Sequence, residues 1–479
     1  MDTGSGFRQY GRSFLLLAMA AVIASCSRAY DPAIERGAEY QFRQGYPEVR
    51  MTALGYLDEE GEGVISIAAD ITDGTLIFRE RDGKNVADIE IEIRITGIEG
   101  SHYSDTYTES KTIKSVSNGF IRSPEVVQFR RDKKVPPGNY EVTISVTDKS
   151  SDRSTSRSTK SFISDPDEQT VSLSALQLLG VNPDRLREGY TPITTYHASA
   201  ATDSLRFVTQ VTSTESEVPL TIESRLIRFE ADTTPARSMS HPNYSPSSSP
   251  YKGIDFRNKD VIDQTRRELD QPGSVMIEFR HKRPGRGNYR FEVRAEGSGA
   301  DEDEYRARDF SIKSENFPHI KNPRELAEPL VYLMGDREYR ELMSIEDPDS
   351  LKEAVDYFWL SNVGSIDGAR QVISRYYERV EQANKQFTNF KEGWKTDQGM
   401  IYILFGPPWY VTTRLNRMHW AYSYDRENPN YNFIFERPRM PNEHFPFNHY
   451  LLQRSPNYFT VQYQQVQGWR TGHIVLAVM

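Results

Sequence analysis

A stretch of 21 residues occurs twice in this chain: "VVQFRRDKKVPPGNYEVTISV" begins at Val126 and "VMIEFRHKRPGRGNYRFEVRA" begins at Val275. Each copy reads as a strand, a basic turn, Gly-Asn-Tyr and a second strand. The two triplets, starting at Gly138 and Gly287, lie 149 residues apart. An internal repeat of this size restricts the fold to two copies of one unit. The unit itself is β, because "DIEIEIRIT" (Asp88 to Thr96) places Ile89, Ile91, Ile93 and Ile95 on one face and Glu90, Glu92, Arg94 and Thr96 on the other. "VISIAADI" (Val64 to Ile71), "TLIFRER" (Thr75 to Arg81) and "YEVTISVTD" (Tyr140 to Asp148) supply further strands. Asp82-Gly83 and Pro137-Gly138-Asn139 supply turns. Many short strands with no helix between them suggest an antiparallel sandwich. The expected architecture is mainly β: two tandem immunoglobulin-like β-sandwiches over residues 46–166 and 167–314, followed by a C-terminal α+β domain over 315–479. Tyr140 and Tyr289 are expected to plug the sandwich edges rather than bind a ligand. Two polar stretches in the second unit, "SMSHPNYSPSSSP" (Ser238 to Pro250) and "GSGADEDEY" (Gly297 to Tyr305), read as solvated loops. The acidic run sits at a hairpin tip without the ligand spacing of a calcium loop.

The N-terminus addresses the chain. Arg8 and Arg12 precede an apolar run, Phe14 to Ala24, which is too short for a membrane-spanning helix of about 20 residues. A basic start, a short apolar core and small residues make a secretory signal. Ile23-Ala24-Ser25-Cys26 resembles the lipobox of bacterial lipoproteins, which implies that Cys26 is acylated and becomes the first residue of the mature chain. Cys26 is the only cysteine, whereas exported chains usually carry cysteines in pairs. The reading is a signal peptide over 1–25, a tether over 26–45, and an exported lipoprotein held in the cell envelope, at the outer membrane, by the acyl anchor. Loss of Asp2, Arg8 and Arg12 with the signal takes the net charge from −9 to −10, which excludes a nucleic-acid partner because phosphates need a basic footprint.

From Asp347 the period changes to that of helices. In "DPDSLKEAVDYFWLSN", Asp347 or Asp349 caps a helix with Leu351, Val355, Phe358 and Trp359 on one face. "SIDGARQVISRYYERVEQANKQF" (Ser365 to Phe387) repeats the pattern with Val372, Tyr376, Val380, Ala383 and Phe387. Next comes "GWKTDQGMIYILFGPPWYV" (Gly393 to Val411). Met400, Tyr402 and Leu404 alternate with Ile401, Ile403 and Phe405, which reads as a central strand covered on both faces and ended by Gly406, Pro407 and Pro408. Thr396 and Asp397 suit a tight turn, Gly393 and Gly399 permit unusual dihedrals, and Trp394 anchors the turn on the helices. Gly393, Trp394, Thr396 and Asp397, with "QGMIYILFGPP" after them, resemble the signature of the GWxTD domain, a family of bacterial proteins often exported or lipid-anchored. The order of "YYERVEQANKQF", motif, "MHWAYSY" and "YNFIFE" is similar to the family's, over about residues 320 to 440; residues from His444 on depart from it. The resemblance implies a β-rich N-terminal half and this domain, and it brings no catalytic residue.

Chemistry is thinly marked. No Gly-x-Ser-x-Gly elbow, phosphate loop or HExxH occurs, and His444 and His449 flank "FPFN", a spacing interrupted by one proline and unlike a metal pair. No cofactor or metal is expected. Asp397 with His419 and Glu436 is the one acid-base constellation to weigh. Aromatic and arginine residues crowd after the motif: Trp409, Tyr410, Arg414, Arg417, Trp420, Tyr422 and Tyr424 form a candidate binding face. The expected function is a lipid-anchored, non-catalytic envelope scaffold that engages another envelope protein. The alternatives are an envelope hydrolase working through Asp397 and a carbohydrate-binding lipoprotein.

Overall fold

The computed structural model describes residues 45–479 apart from 100–101, 115–125, 167–170, 183–188, 200–201, 215–218, 297–303, 424–430, 439–448 and 477–479. The signal peptide, Cys26, the tip of the acidic hairpin, Tyr424 and His444 lie outside the described residues. Strands β1 (Glu48–Leu57), β2 (Gly63–Thr72), β3 (Arg79–Arg81), β4 (Lys84–Ile98), β5 (Ser104–Lys114), β6 (Val126–Lys134), β7 (Gly138–Asp148) and β8 (Arg153–Ile163) make two sheets. One has the order β1-β2-β6; the other runs β3-β4-β7-β8, with β5 also on β4. Both are antiparallel and share one core. Ile89, Ile91, Ile93 and Ile95 of β4 are buried in that core, each contributing about 1.5–3 kcal/mol of hydrophobic stabilisation. Asp82 and Gly83 both have positive φ, 53° and 70°, as a two-residue hairpin turn requires. The strand expected from Thr75 is shorter, because Asp73–Thr75 is a 3-10 turn and pairing begins at Arg79.

The second unit contains β9 (Val171–Leu173), β10 (Gln177–Val181), β11 (Thr191–Pro192), β12 (His197–Ala198), β13 (Ser204–Ser213), β14 (Leu220–Ala231), β15 (Ile254–Leu269), β16 (Gly273–Lys282), β17 (Gly287–Glu296) and β18 (Glu304–Ile312). Its sheets, β11-β10-β13-β16 and β12-β18-β17-β14-β15, again enclose a common core. The duplicated sequence is one structural device used twice. β6 and β16 each end one sheet, the chain turns, and β7 and β17 enter the facing sheet. At each crossing the tyrosine is buried and its hydroxyl donates to a carbonyl four residues upstream, Tyr140 to Pro136 and Tyr289 to Gly285 (2.7 Å). The two units are bonded to each other, since the Gln210 side-chain amide takes both the N–H and the C=O of Leu57.

The C-terminal part is helix-led. Helices α1 (Asp336–Met343), α2 (Pro348–Val363), α3 (Ile366–Phe387), α4 (Asp397–Phe405) and α5 (Tyr458–Arg470) pack with a sheet of order β19 (Tyr410–Arg414), β20 (Arg417–Ala421), β21 (Asn432–Glu436), β22 (Leu451–Leu452). Asp347 caps α2 by accepting the Ser350 N–H, and Ser365 caps α3 by accepting the Gly368 N–H. The buried faces are those read from the periodicity: Leu351, Val355, Phe358 and Trp359 on α2, and Val372, Tyr376, Val380, Ala383 and Phe387 on α3.

The central strand read into the motif is instead the helix α4. All eight residues from Asp397 to Leu404 are buried, so the segment shows no polar face from which a helical period can be read. Thr396 caps this helix by accepting the Gly399 N–H at 2.9 Å. Gly406, with φ of 83°, ends it. Arg379 of α3 donates to the Ile403 and Leu404 carbonyls at that end.

Candidate functional site

The motif is a junction before it is anything else. Gly393 and Gly399 have ordinary negative φ, and contact distance requires them. A Cβ on Gly393 would stand 1.9 Å from the Ala383 carbonyl oxygen, and one on Gly399 would stand 1.9 Å from the Gly393 carbonyl oxygen. Backbone thus rests on backbone from α3 through the turn to α4. Trp394 is buried against Tyr332, whose hydroxyl donates to the Trp394 carbonyl at 2.7 Å. Trp394 therefore anchors the turn, as its sequence position suggested.

Asp397 departs from the turn role. Its carboxylate accepts two N–H groups of Arg454, at 2.8 and 2.6 Å, and the Leu452 backbone N–H at 2.7 Å. Both side chains are almost wholly buried. A fork of this geometry is a strong charge-assisted pair. Asp397 touches neither His419 nor Glu436, and Glu436 pairs with Arg417. Arg454 also donates to the carbonyls of Arg237 and Ser238 and to the Tyr244 hydroxyl, and Ser238 and Tyr244 belong to the stretch read as a solvated loop. That reading is corrected. The segment between β14 and β15 buries Ala236 and Met239 in the C-terminal core. Gln462 accepts from the Ser238 hydroxyl and the Met239 N–H. Residues beyond His444 also complete the domain: Trp469 and Gln465 both donate to the Leu404 carbonyl.

His449 closes the same seam by donating from Nε2 to the Pro250 carbonyl at 2.8 Å. Burial pushes its pKa down to about 4, and Lys391 adds to the effect. An unfolded histidine titrates near 6.5, so as pH falls the unfolded chain takes the proton first. Stability is therefore full above about 6.5 and declines toward 4, by about 2–3 kcal/mol at pH 4.5. Urea denaturation at pH 7 and pH 4.5 is expected to give that loss in the native chain and a smaller one in His449→Gln; an equal loss in both refutes the assignment.

The predicted binding face divides. Trp420 is fully buried and Tyr422, half-buried, donates to the Gly406 carbonyl; both pack in the core and do not face a partner. Trp409, Tyr410 and Val411 are 54, 52 and 37% exposed, and Leu415 at the hairpin tip is 89% exposed. All five residues of β19 are exposed, Arg414 among them, and Arg417 faces solvent on β20. Period 2 found this crowd of aromatics but did not distinguish its core half from its surface half. It also missed Phe459 and Tyr463, exposed on α5 with rings stacked at 6.3 Å, though their spacing of four was the available signal. Among the described residues one group of three carboxylates, Asp58, Glu60 and Glu62, is close enough to hold a metal ion, and the Lys134 ammonium sits among them.

A search of curated proteins finds no match. Among solved structures the chain is similar to red sea bream transglutaminase (8% identity, 55% of this chain and 31% of that one, TM-score 0.18). It is also similar to Salmonella alpha-2-macroglobulin reacted with methylamine (12%, 57% and 17%, 0.18), and to Escherichia coli alpha-2-macroglobulin activated by porcine elastase (8%, 77% and 36%, 0.17). The chain spans little more than a third of those proteins at most, and scores this low carry no inference. The family comparison is specific: residues 298–471 match the GWxTD domain. The interval contains both amphipathic helices, the Gly393 to Asp397 turn, the sheet from β19 to β22 and the Arg454 that pairs with the motif, so this chain is a GWxTD domain-containing protein.

Proposed function

We propose that this protein is a lipid-anchored, non-catalytic scaffold of the bacterial cell envelope, and that it docks an extended segment of another envelope protein along the solvent-exposed edge strand β19. The observation that carries the reading is the edge itself. Among the described residues β19 ends its sheet, pairing in register with β20, and all five of its residues are exposed. Two other edges are guarded. β15 is densely charged and its pairing with β14 has two register shifts, and β5 alternates charged and hydroxyl side chains; both are ways of blocking strand addition. β19 carries Tyr410, Val411, Thr412 and Thr413, all suited to pairing, and Arg414 favours an acidic residue opposite it. Asp397, buried and engaged by Arg454, lacks the open cleft that a hydrolase would need. The anchor rests on Ile23 to Cys26.

A photoreactive residue at position 412 in the full chain, in its own membranes, is expected to crosslink one envelope protein, with the adduct lost in Val411→Lys. The same group at Arg337, whose side chain is 88% exposed on α1, serves as the control. Adducts no more specific from 412 than from 337 end the docking proposal. Cys26→Ser is expected to move the chain out of the membrane fraction, and retention there ends the anchor.

A further inference from the structure

Between the second sandwich and the GWxTD domain lies a cavity of about 20 Å³ whose walls carry four cations, Arg286, Lys313, Lys391 and Lys395, and one carboxylate, Glu392. The three lysines and Glu392 are buried. Lys391 is matched by Asp232. Glu392 is shared between Arg286 and Lys395, the latter at 3.5 Å, and its oxygens also accept the Ser314 N–H and the Trp394 indole N–H. Arg286 has Glu328 at 3.8 Å besides. Lys313 donates to the Asn389 and Phe390 carbonyls at 2.9 and 2.8 Å. Its only charged company is at longer range, as no carboxylate among the described residues reaches ion-pairing distance of its Nζ. Arg286 is 37% exposed and shares its charge with water, so Lys313 is the buried cation of this lining left without a carboxylate at ion-pairing distance among the described residues, and buried charge without a counter-charge is strongly unfavourable.

The surplus charge can be discharged in two ways. Lys313 can give up its proton: burial, with Arg286 and Lys395 adding, pushes its pKa down to about 7 against the pull of Glu392. Alternatively, an anion can enter. A hole needs roughly 10–15 Å³ to take one water, so this one of about 20 Å³ holds a single occupant of about that size. We propose that the cavity binds one small monovalent inorganic anion of the halide class, held by Lys313, Lys395 and Arg286, which fastens the second sandwich to the GWxTD domain. This goes beyond the docking proposal and stands apart from it.

The test is chloride itself. The full chain is melted in sodium chloride and in sodium gluconate at equal ionic strength, and ³⁵Cl NMR linewidths are recorded alongside. Chloride is expected to raise the Tm saturably, by about 3–5 °C at ten times its dissociation constant. It is also expected to show protein-dependent line broadening that bromide competes away. Both effects should vanish in Lys313→Met, with Lys395→Met as the second variant should the first fail to fold. Equal melting in chloride and gluconate, or broadening that survives in the folded variant, overturns the site.

Discussion

Substituting Arg454 with methionine is expected to destabilise the C-terminal domain by about 3–5 kcal/mol, because it leaves the Asp397 carboxylate buried with no counter-charge. Methionine keeps the apolar stem of the side chain, so lost packing contributes little. The remaining Leu452 N–H satisfies one oxygen only. Removing both charges is a different matter. Asp397→Leu with Arg454→Met is expected to recover most of the loss, since a buried pair is often neutral against apolar residues of similar volume. Urea denaturation followed by tryptophan fluorescence reads this domain alone, because all five tryptophans, Trp359, Trp394, Trp409, Trp420 and Trp469, lie within it. A single variant that loses under about 1 kcal/mol, the range of exposed pairs, contradicts the buried fork. A double variant no better than the single contradicts the coupling.

Gly399→Ala is expected to cost at least about 3 kcal/mol, at or above the usual range for overpacking. The added methyl would lie 1.9 Å from the Gly393 carbonyl oxygen. That atom belongs to backbone seated on α3, so no side-chain rotation relieves the clash. Gly468→Ala is the matched control: it lies in α5, nothing stands within 4 Å of the added Cβ, and a gain of about 0.5–1 kcal/mol is expected. Should Gly399→Ala keep the native midpoint, the close approach of turn and helix is wrong and the glycine serves another end.

How much was legible depended on the range over which each signal acts. The isoleucines of β4 and the buried stripes of α2 and α3 follow from spacing of two or of three and four, which any solvated element displays. α4 is covered on every side, so Met400 to Leu404 present a continuous apolar run that strand and helix share. Its helical state follows from the Thr396 cap and from contacts with α3. Asp397 was conspicuous in the sequence, but its partner was not. Arg454 lies 57 residues downstream with no local pattern around it. The Ser238 to Pro250 stretch misled for a related reason. Serine and proline content describes what a segment offers to water, whereas this one spends its Ser238 carbonyl on Arg454 and its Met239 side chain on a distant core.

The sequence by itself determined the β-rich N-terminal part, the duplicated segment, the two amphipathic helices and the GWxTD motif, because periodicity, caps and repeats are properties of neighbours along the chain. Only the tertiary structure decided that the motif is a helix start, that its aspartate is neutralised by Arg454 just past β22, which the loop before β15 holds in place, and that β19 is exposed at the end of its sheet. Burial and charge pairing depend on which distant segments meet, and folding alone brings those segments together.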